Sequence, residues 1–102
     1  MSCNTQSPKN VRLKDGTLVI AVIKEKYLNK EYTSAKINTR ESFTYGRFEI
    51  RAALPKGKML RPAILMIPEK PSDWARNGQI DVMTNNQTSI LWAGIHYGVP
   101  EK

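Results

Sequence analysis

Residues 11–23 read Val-Arg-Leu-Lys-Asp-Gly-Thr-Leu-Val-Ile-Ala-Val-Ile and carry a clear β signal. Val11 and Leu13 alternate with polar residues, which is the period of a strand. Asp15-Gly16 then supplies a two-residue turn in which both positions favour a positive φ angle, the kind of turn that joins antiparallel strands. The run from Leu18 to Ile23 is short and β-branched, so it predicts a strand that is buried on both faces. These residues therefore predict a β-hairpin.

The rest of the chain repeats this pattern of short strands and turns. A charged segment, Lys24 to Glu31, is predicted to be a linker, and Pro55-Lys56-Gly57-Lys58 is predicted to be a turn. Strands are expected over five further segments: Tyr32 to Arg40, Arg47 to Ala52, Ala63 to Ile67, Ile80 to Met83 and Ile90 to Tyr97. Many short strands with frequent turns and no helix longer than one turn indicate an all-β, antiparallel sandwich or barrel.

Length and charge limit the classes of function. The 102 residues fit one domain, and we expect residues 1–9 to form a disordered tail and residues 10–102 to form the sandwich. Cys3 is the single cysteine, so no internal disulfide supports the fold. The formal net charge is +7, with 13 Lys and Arg against 5 Asp and Glu in residues 9–61. These basic residues are spread singly, without a nucleic-acid-binding motif, so we expect no nucleic-acid partner, while an anionic polymer stays open.

Membrane and metal signals are absent from the sequence. The longest apolar run, Leu18 to Ile23, is far shorter than the ~20 residues that a transmembrane helix needs. The first residues also lack the charged and apolar parts of a signal peptide. His96 is the single histidine, so no zinc-like cluster is present, and we expect no metal and no cofactor.

Five segments in order form a recognisable set, namely Tyr32 to Ile37, Tyr45 to Lys58, Arg61 to Pro68, Gly78-Gln79-Ile80-Asp81-Val82-Met83-Thr84, and Gly94-Ile95-His96-Tyr97-Gly98. Together they resemble glycoside hydrolase family 16, the β-jelly-roll enzymes that cut β-1,3-glucans and related polysaccharides. They are most similar to the animal branch called Gram-negative bacteria-binding proteins, or β-1,3-glucan recognition proteins. The resemblance implies a concanavalin-like jelly roll, of which this chain spans less than half, and an extracellular protein.

An incomplete sandwich exposes apolar strand faces and unpaired strand edges. We therefore expect either that the strands present close differently, or that a partner chain covers them, or that the chain is a marginal remnant.

The resemblance also implies where catalytic residues would lie. The family's active strand reads Glu-Ile-Asp-Ile-Met-Glu, and a bulge brings its last glutamate to the same strand face as the first two carboxylates. Here those positions hold Gln79, Asp81 and Thr84. An amide is no anionic nucleophile, and a threonine hydroxyl is no useful acid near neutral pH. We therefore expect no catalytic residue, with Gln79, Asp81 and Thr84 as vestigial positions, and no enzyme.

The predicted sugar-binding face follows from the same resemblance. Two tryptophan positions of the family hold Arg61 and Leu65 here. Arg61 is suited to hydroxyls or an anionic group, whereas Leu65 is either a sugar contact or core filler. Trp74 keeps a family position and is the main expected stacking platform for a pyranose ring. Trp92 is added to the expected ligand-binding set because it shares a strand face with His96 by alternation. The full set is Trp74, Arg61, Gln79, Asp81, His96 and Trp92.

These observations predict non-catalytic recognition of β-1,3-glucan or a related microbial cell-wall polysaccharide, in the manner of an innate-immunity pattern-recognition protein. Three alternatives stay open. They are residual β-1,3-glucanase-like hydrolysis through Asp81, a basic interaction module for anionic polymers, and a non-functional truncated remnant.

Overall fold

All regular secondary structure in the described residues is β. The computed structural model describes residues 2–70, 78–85 and 90–98, and within these ranges it contains no helix and therefore none that is long and apolar enough to cross a membrane. The strands are β1 (Ser2–Asn4), β2 (Val11–Lys14), β3 (Thr17–Ile20), β4 (Ile23–Tyr27), β5 (Lys30–Ser34), β6 (Ala63–Met66), β7 (Gln79–Asn85) and β8 (Leu91–His96). The predicted all-β class is confirmed, and the strands are consistent with an incomplete jelly-roll-like sandwich.

The first of two units, Met1–Glu41, contains two sheets. In one sheet the strand order is β1-β5-β4, with β1 parallel and β4 antiparallel to β5. The other sheet is the β2-β3 hairpin, in which Lys14 lies opposite Thr17. Asp15 and Gly16 have φ angles of 50° and 76°, so the predicted two-residue turn is confirmed.

A second hairpin replaces the predicted linker between Lys24 and Glu31. Most of β4 and the start of β5 lie in this segment, and Tyr27 lies opposite Lys30. The turn consists of Leu28 and Asn29, which have φ angles of 44° and 62°. The linker prediction is wrong because this turn adopts a glycine-type conformation without a glycine.

The strand limits in this unit also differ from those predicted. The expected strand from Leu18 to Ile23 is divided, because β3 ends at Ile20 and β4 begins at Ile23. The expected strand from Tyr32 to Arg40 ends at Ser34. Ser2–Asn4, in the segment predicted to be a disordered tail, pairs with β5, and the Thr5 amide donates to the Ser34 carbonyl at 2.8 Å. That pairing satisfies backbone groups which an edge strand would leave open.

The two fully buried side chains of the described residues are polar, Asn10 and Thr33. Asn10 Nδ2 donates to the Ala21 carbonyl at 3.1 Å and to Thr33 Oγ1 at 3.0 Å, and the Thr5 hydroxyl donates to Asn10 Oδ1. Thr33 Oγ1 in turn donates to Glu25 Oε1 at 2.7 Å. This network organises the first unit, because buried polar groups are stable only when they are hydrogen-bonded.

The second unit, Ser42–Lys102, contains one antiparallel sheet of order β6-β7-β8. The predicted strand from Arg47 to Ala52 does not form, although its sequence alternates. Arg47 and Glu49 instead form an exposed ion pair with each other, at 2.5 Å. Alternation is insufficient here because a strand also needs a neighbour for its backbone hydrogen bonds.

Apolar side chains stay exposed in the described residues. None of the large apolar residues is fully buried, and in the β6-β7-β8 sheet the exposed fractions reach 45% for Ile80 and 70% for Ile95. A sheet normally buries an apolar face against a second layer. The predicted exposure of apolar strand faces is therefore confirmed, while a partner chain stays a prediction.

Candidate functional site

A β-bulge in the middle of β7 shapes the face on which the candidate residues lie. On one side, Ile64 and Leu65 of β6 face Met83 and Asp81, so Val82 has no partner there. On the other side, the register with β8 shifts between Asp81 and Thr84. One extra residue in a strand changes which side chains share a face. The bulge expected from the family's active strand is therefore present in β7.

This register places three rows of residues on one face of the sheet, because directly opposite residues of antiparallel strands point to the same side. Gln79 lies opposite His96, and Asp81 lies opposite Gly94 on one strand and Leu65 on the other. Thr84 lies opposite both Ala63 and Trp92. Five residues predicted from the sequence thus share a face, namely Gln79, Asp81, Thr84, Trp92 and His96. We call this surface the β7 face.

Asp81 is the centre of a hydrogen-bonded cluster at one end of the β7 face. Gln79 Nε2 donates to its Oδ1 at 2.5 Å, and His96 Nε2 donates to its Oδ2 at 2.7 Å. The Asp81 side chain is 14% exposed and that of His96 is 50% exposed. The hydrogen bond from Gln79, then that from His96 and the His96 charge, hold the pKa of Asp81 below its ordinary 3.8, although partial burial opposes this. The cluster therefore presents an ionised carboxylate beside a solvent-accessible imidazole.

Gly78 lets the backbone beside this cluster approach the backbone of His96 closely. The sequence alone does not mark Gly78 as a functional residue. It is buried, its φ angle is +77°, and an added Cβ would lie 2.4 Å from the His96 carbonyl oxygen. Only glycine adopts this conformation readily and leaves room for such a close approach. The signal in the sequence is a glycine directly before a strand, which also marks many ordinary turns.

A shallow depression lies at the other end of the β7 face. Its volume is about 280 Å³, and it is lined by Arg61, Pro62, Ala63, Thr84, Asn85 and Trp92. The Trp92 side chain is 59% exposed, and Arg61 is also exposed. Exposed indole area and a guanidinium group are what a polar ring ligand needs for stacking and hydrogen bonding. Arg61, Thr84 and Trp92, which lie far apart in the sequence, thus form one concave surface.

Two further residues considered from the sequence as sugar contacts are Leu65 and Trp74. Leu65 lies opposite Asp81, on the same side of the sheet, and is 41% exposed. Trp74, the expected stacking platform, lies outside the described residues. In the ranges that the structure describes, no three His, Cys, Asp or Glu side chains come close enough to hold a metal ion.

Comparison with known proteins links the chain to glucan-active proteins. It is 47% identical over 81 residues to a β-glucanase of Rhodothermus marinus and 42% identical over 98 residues to a glucan endo-1,3-β-glucosidase of Cryptopygus antarcticus. These matches cover 74% and 87% of the chain, but 28% and 36% of the relatives, so the chain spans about a third of their length. A β-1,3-glucan-binding protein of Penaeus monodon is 44% identical over 55 residues, which is 50% of the chain and 15% of that protein.

These similarities support a glycoside hydrolase family 16-like assignment. No family model matches the chain, and no solved structure gives a significant match. The animal glucan-recognition branch is not singled out, because both glucan-cleaving and glucan-binding proteins are among the relatives.

The prediction that the chain is not an enzyme is contradicted by the same comparisons. Three similar proteins carry the names of glucan-cleaving enzymes: a β-glucanase and two glucan endo-1,3-β-glucosidases. The prediction depended on the chemistry of Gln79 and Thr84 alone, and two side chains do not define the activity of a protein whose relatives are about three times longer.

Proposed function

We propose that the protein binds β-1,3-glucan, including that of microbial cell walls, through the β7 face. The observation that carries this proposal is that the bulge in β7 aligns the Asp81 cluster and the exposed Trp92 along one face of the sheet. A row of polar groups next to an indole matches a sugar ring, because ring hydroxyls need hydrogen-bond partners and the apolar ring face needs stacking area. The names of the relatives support glucan as the ligand.

Each group has a distinct expected role. The Asp81 carboxylate accepts hydrogen bonds from sugar hydroxyls, and the exposed edge of His96 approaches a neighbouring hydroxyl. Trp92 stacks on a ring at the opposite end of the β7 face, about 7 Å further along the strands from Asp81, as two residues of strand rise imply. Trp74 is a further proposed stacking residue from the sequence.

Retention on insoluble β-1,3-glucan tests this proposal. The parent chain is expected to be retained, and Trp92→Ala is expected to lose most of that retention because it removes the stacking area. Tyr45→Ala is the matched control, since Tyr45 is 91% exposed and lies outside the β6-β7-β8 sheet. Equal retention of parent and Trp92→Ala would remove the β7 face as the binding site. A comparison with Trp74→Ala tests the second stacking position in the same way.

A second candidate function is cleavage of β-glucan, which the glucan-cleaving relatives favour. In the described part of the β7 face, Asp81 is the one carboxylate, it is kept ionised, and His96 is placed to exchange a proton beside it. A retaining mechanism uses two carboxyl groups about 5–5.5 Å apart, so this candidate requires a second acid from elsewhere. Release of reducing sugar from laminarin, abolished by Asp81→Asn, would establish this function, whereas retention on glucan without release would leave binding.

A further inference from the structure

We propose that the depression formed by Arg61, Thr84 and Trp92 is a subsite for an acidic sugar ring, one that carries a carboxylate or a sulfate group. This inference rests on the proposed glucan function and adds to it a preference for glucan that carries acidic groups.

The first observation is that the cation Arg61 has no anionic neighbour among the described residues. Arg61 is exposed, and no described residue forms an ion pair with it. The acidic residue of the β7 face is Asp81, which lies opposite Leu65. Leu65 is four residues away from Arg61 along the chain. Four residues of extended chain span about 13 Å, beyond the contact distance of an ion pair. As far as the described part of the chain is concerned, the guanidinium is therefore available to an external anion.

The second observation is the surroundings of Arg61. Trp92 and Thr84 lie directly opposite each other in the sheet and line the same depression as Arg61. Its volume of about 280 Å³ is just below the ~300–1,000 Å³ of ordinary small-molecule pockets, which suits a single ring rather than a long segment. An indole holds the ring face, a hydroxyl serves a ring hydroxyl, and a planar guanidinium binds a carboxylate or sulfate with two parallel hydrogen bonds.

The third observation is the charge of this part of the chain. Residues 42–70, 78–85 and 90–98 contain six Lys and Arg (Arg47, Arg51, Lys56, Lys58, Arg61 and Lys70) and three acids (Glu49, Glu69 and Asp81), a net charge of 6 − 3 = +3. A positive field raises the local concentration of a polyanion but does not select its sugar. We expect the depression to select a sugar ring among polyanions, because it combines the Arg61 charge with the stacking area of Trp92.

Titration calorimetry with matched ligands tests the subsite. The ligands are neutral laminarin, carboxymethylated laminarin, sulfated laminarin and, as a polyanion with another backbone, carboxymethylated dextran. We expect at least one acidic laminarin to bind the parent chain roughly tenfold more tightly than neutral laminarin, the effect of one charge-assisted contact. The carboxymethyl and sulfate derivatives separate the two anion types. The preference should shrink at high salt, whereas binding of neutral laminarin should hold.

Arg61→Gln is expected to abolish this preference, so that neutral and acidic laminarin bind the variant with equal affinity. Arg51→Gln is the matched control, because it removes the same charge from another exposed position of the same unit. Equal affinity of the parent for neutral and acidic laminarin, an equal loss in both variants, or equally tight binding of carboxymethylated dextran would overturn the subsite while leaving glucan binding intact. Absence of binding to every laminarin would overturn the glucan proposal itself, and the subsite with it.

Discussion

The contact between Gly78 and the backbone of His96 offers a sharp test of the Asp81 cluster. In Gly78→Ala, the new Cβ would lie 2.4 Å from the His96 carbonyl oxygen, whereas ordinary van der Waals contact begins near 3.4 Å. The strands must therefore separate by about 1 Å at this point, the difference between those two distances. An alanine with a φ angle of +77° adds a conformational cost of about 1–2 kcal/mol.

That displacement is expected to break the hydrogen bond between His96 and Asp81. The bond is 2.7 Å long, and a shift of about 1 Å moves it beyond hydrogen-bond distance. The pKa of Asp81 should then rise part of the way toward its ordinary 3.8, because the His96 contribution is lost while the larger one from Gln79 stays. Carboxyl-carbon NMR titration measures the pKa, and urea unfolding measures the lost free energy of unfolding.

Gly94→Ala is the control for this experiment. Gly94 lies opposite Asp81 in the same sheet, but an added Cβ there meets no atom within 4 Å. This variant should keep the parent's Asp81 pKa and should unfold at the same or a slightly higher urea concentration. The reasoning is refuted if Gly78→Ala matches the parent in both measurements, or if Gly94→Ala changes them as much.

Three further outcomes are expected in urea unfolding. Asn10→Ala should lower the free energy of unfolding by about 1–3 kcal/mol, because it leaves the buried hydrogen-bond partners of Asn10 unsatisfied. Asn38→Ala, at an exposed position, should change it little, and equal effects of the two variants would contradict the buried network. Leu28→Asn should stabilise the chain by up to about 1 kcal/mol, since asparagine tolerates the φ angle of 44°, while Leu13→Asn, in β2, should destabilise it. Because the pKa of Asp81 is lowered in the folded state, ionised Asp81 stabilises the fold above the unfolded-state pKa of ~3.9, and this stability is lost as the pH falls through the folded-state pKa. Asp81→Asn should therefore make the free energy of unfolding less dependent on pH below about pH 4. An unchanged pH dependence would refute this.

Local patterns predicted those elements whose signal lies in neighbouring residues. The Asp15-Gly16 turn followed from two residue types that tolerate a positive φ angle, and that conformation is present. The strand around Ala63 was predicted nearly to its ends, since two prolines border it. In β7, the strand period together with the family's bulge was sufficient to place Gln79, Asp81 and Thr84 on one face.

Pairing between distant segments decided two of the elements that were predicted wrongly. Arg47 to Ala52 has the alternation of a strand but forms none, whereas Ser2–Asn4 has little strand signal and pairs with β5. In these two cases the outcome depends on which distant backbone groups find a partner, and this information is not present in the segment itself. The hairpin through Leu28 and Asn29 is local and was missed for another reason, because its turn has positive φ angles without the glycine that usually marks them.

The chemistry of the site divides in the same way. The residue types were readable from the chain: a carboxylate, an imidazole, an indole and a guanidinium at recognisable spacings. Their grouping was not readable, because the register of β7 against its neighbours brings His96 onto Asp81 and Trp92 into one depression with Arg61. A strand's side chains alternate by geometry alone, but which residue of another strand lies opposite them is set by the hydrogen-bonded pairing of the folded sheet.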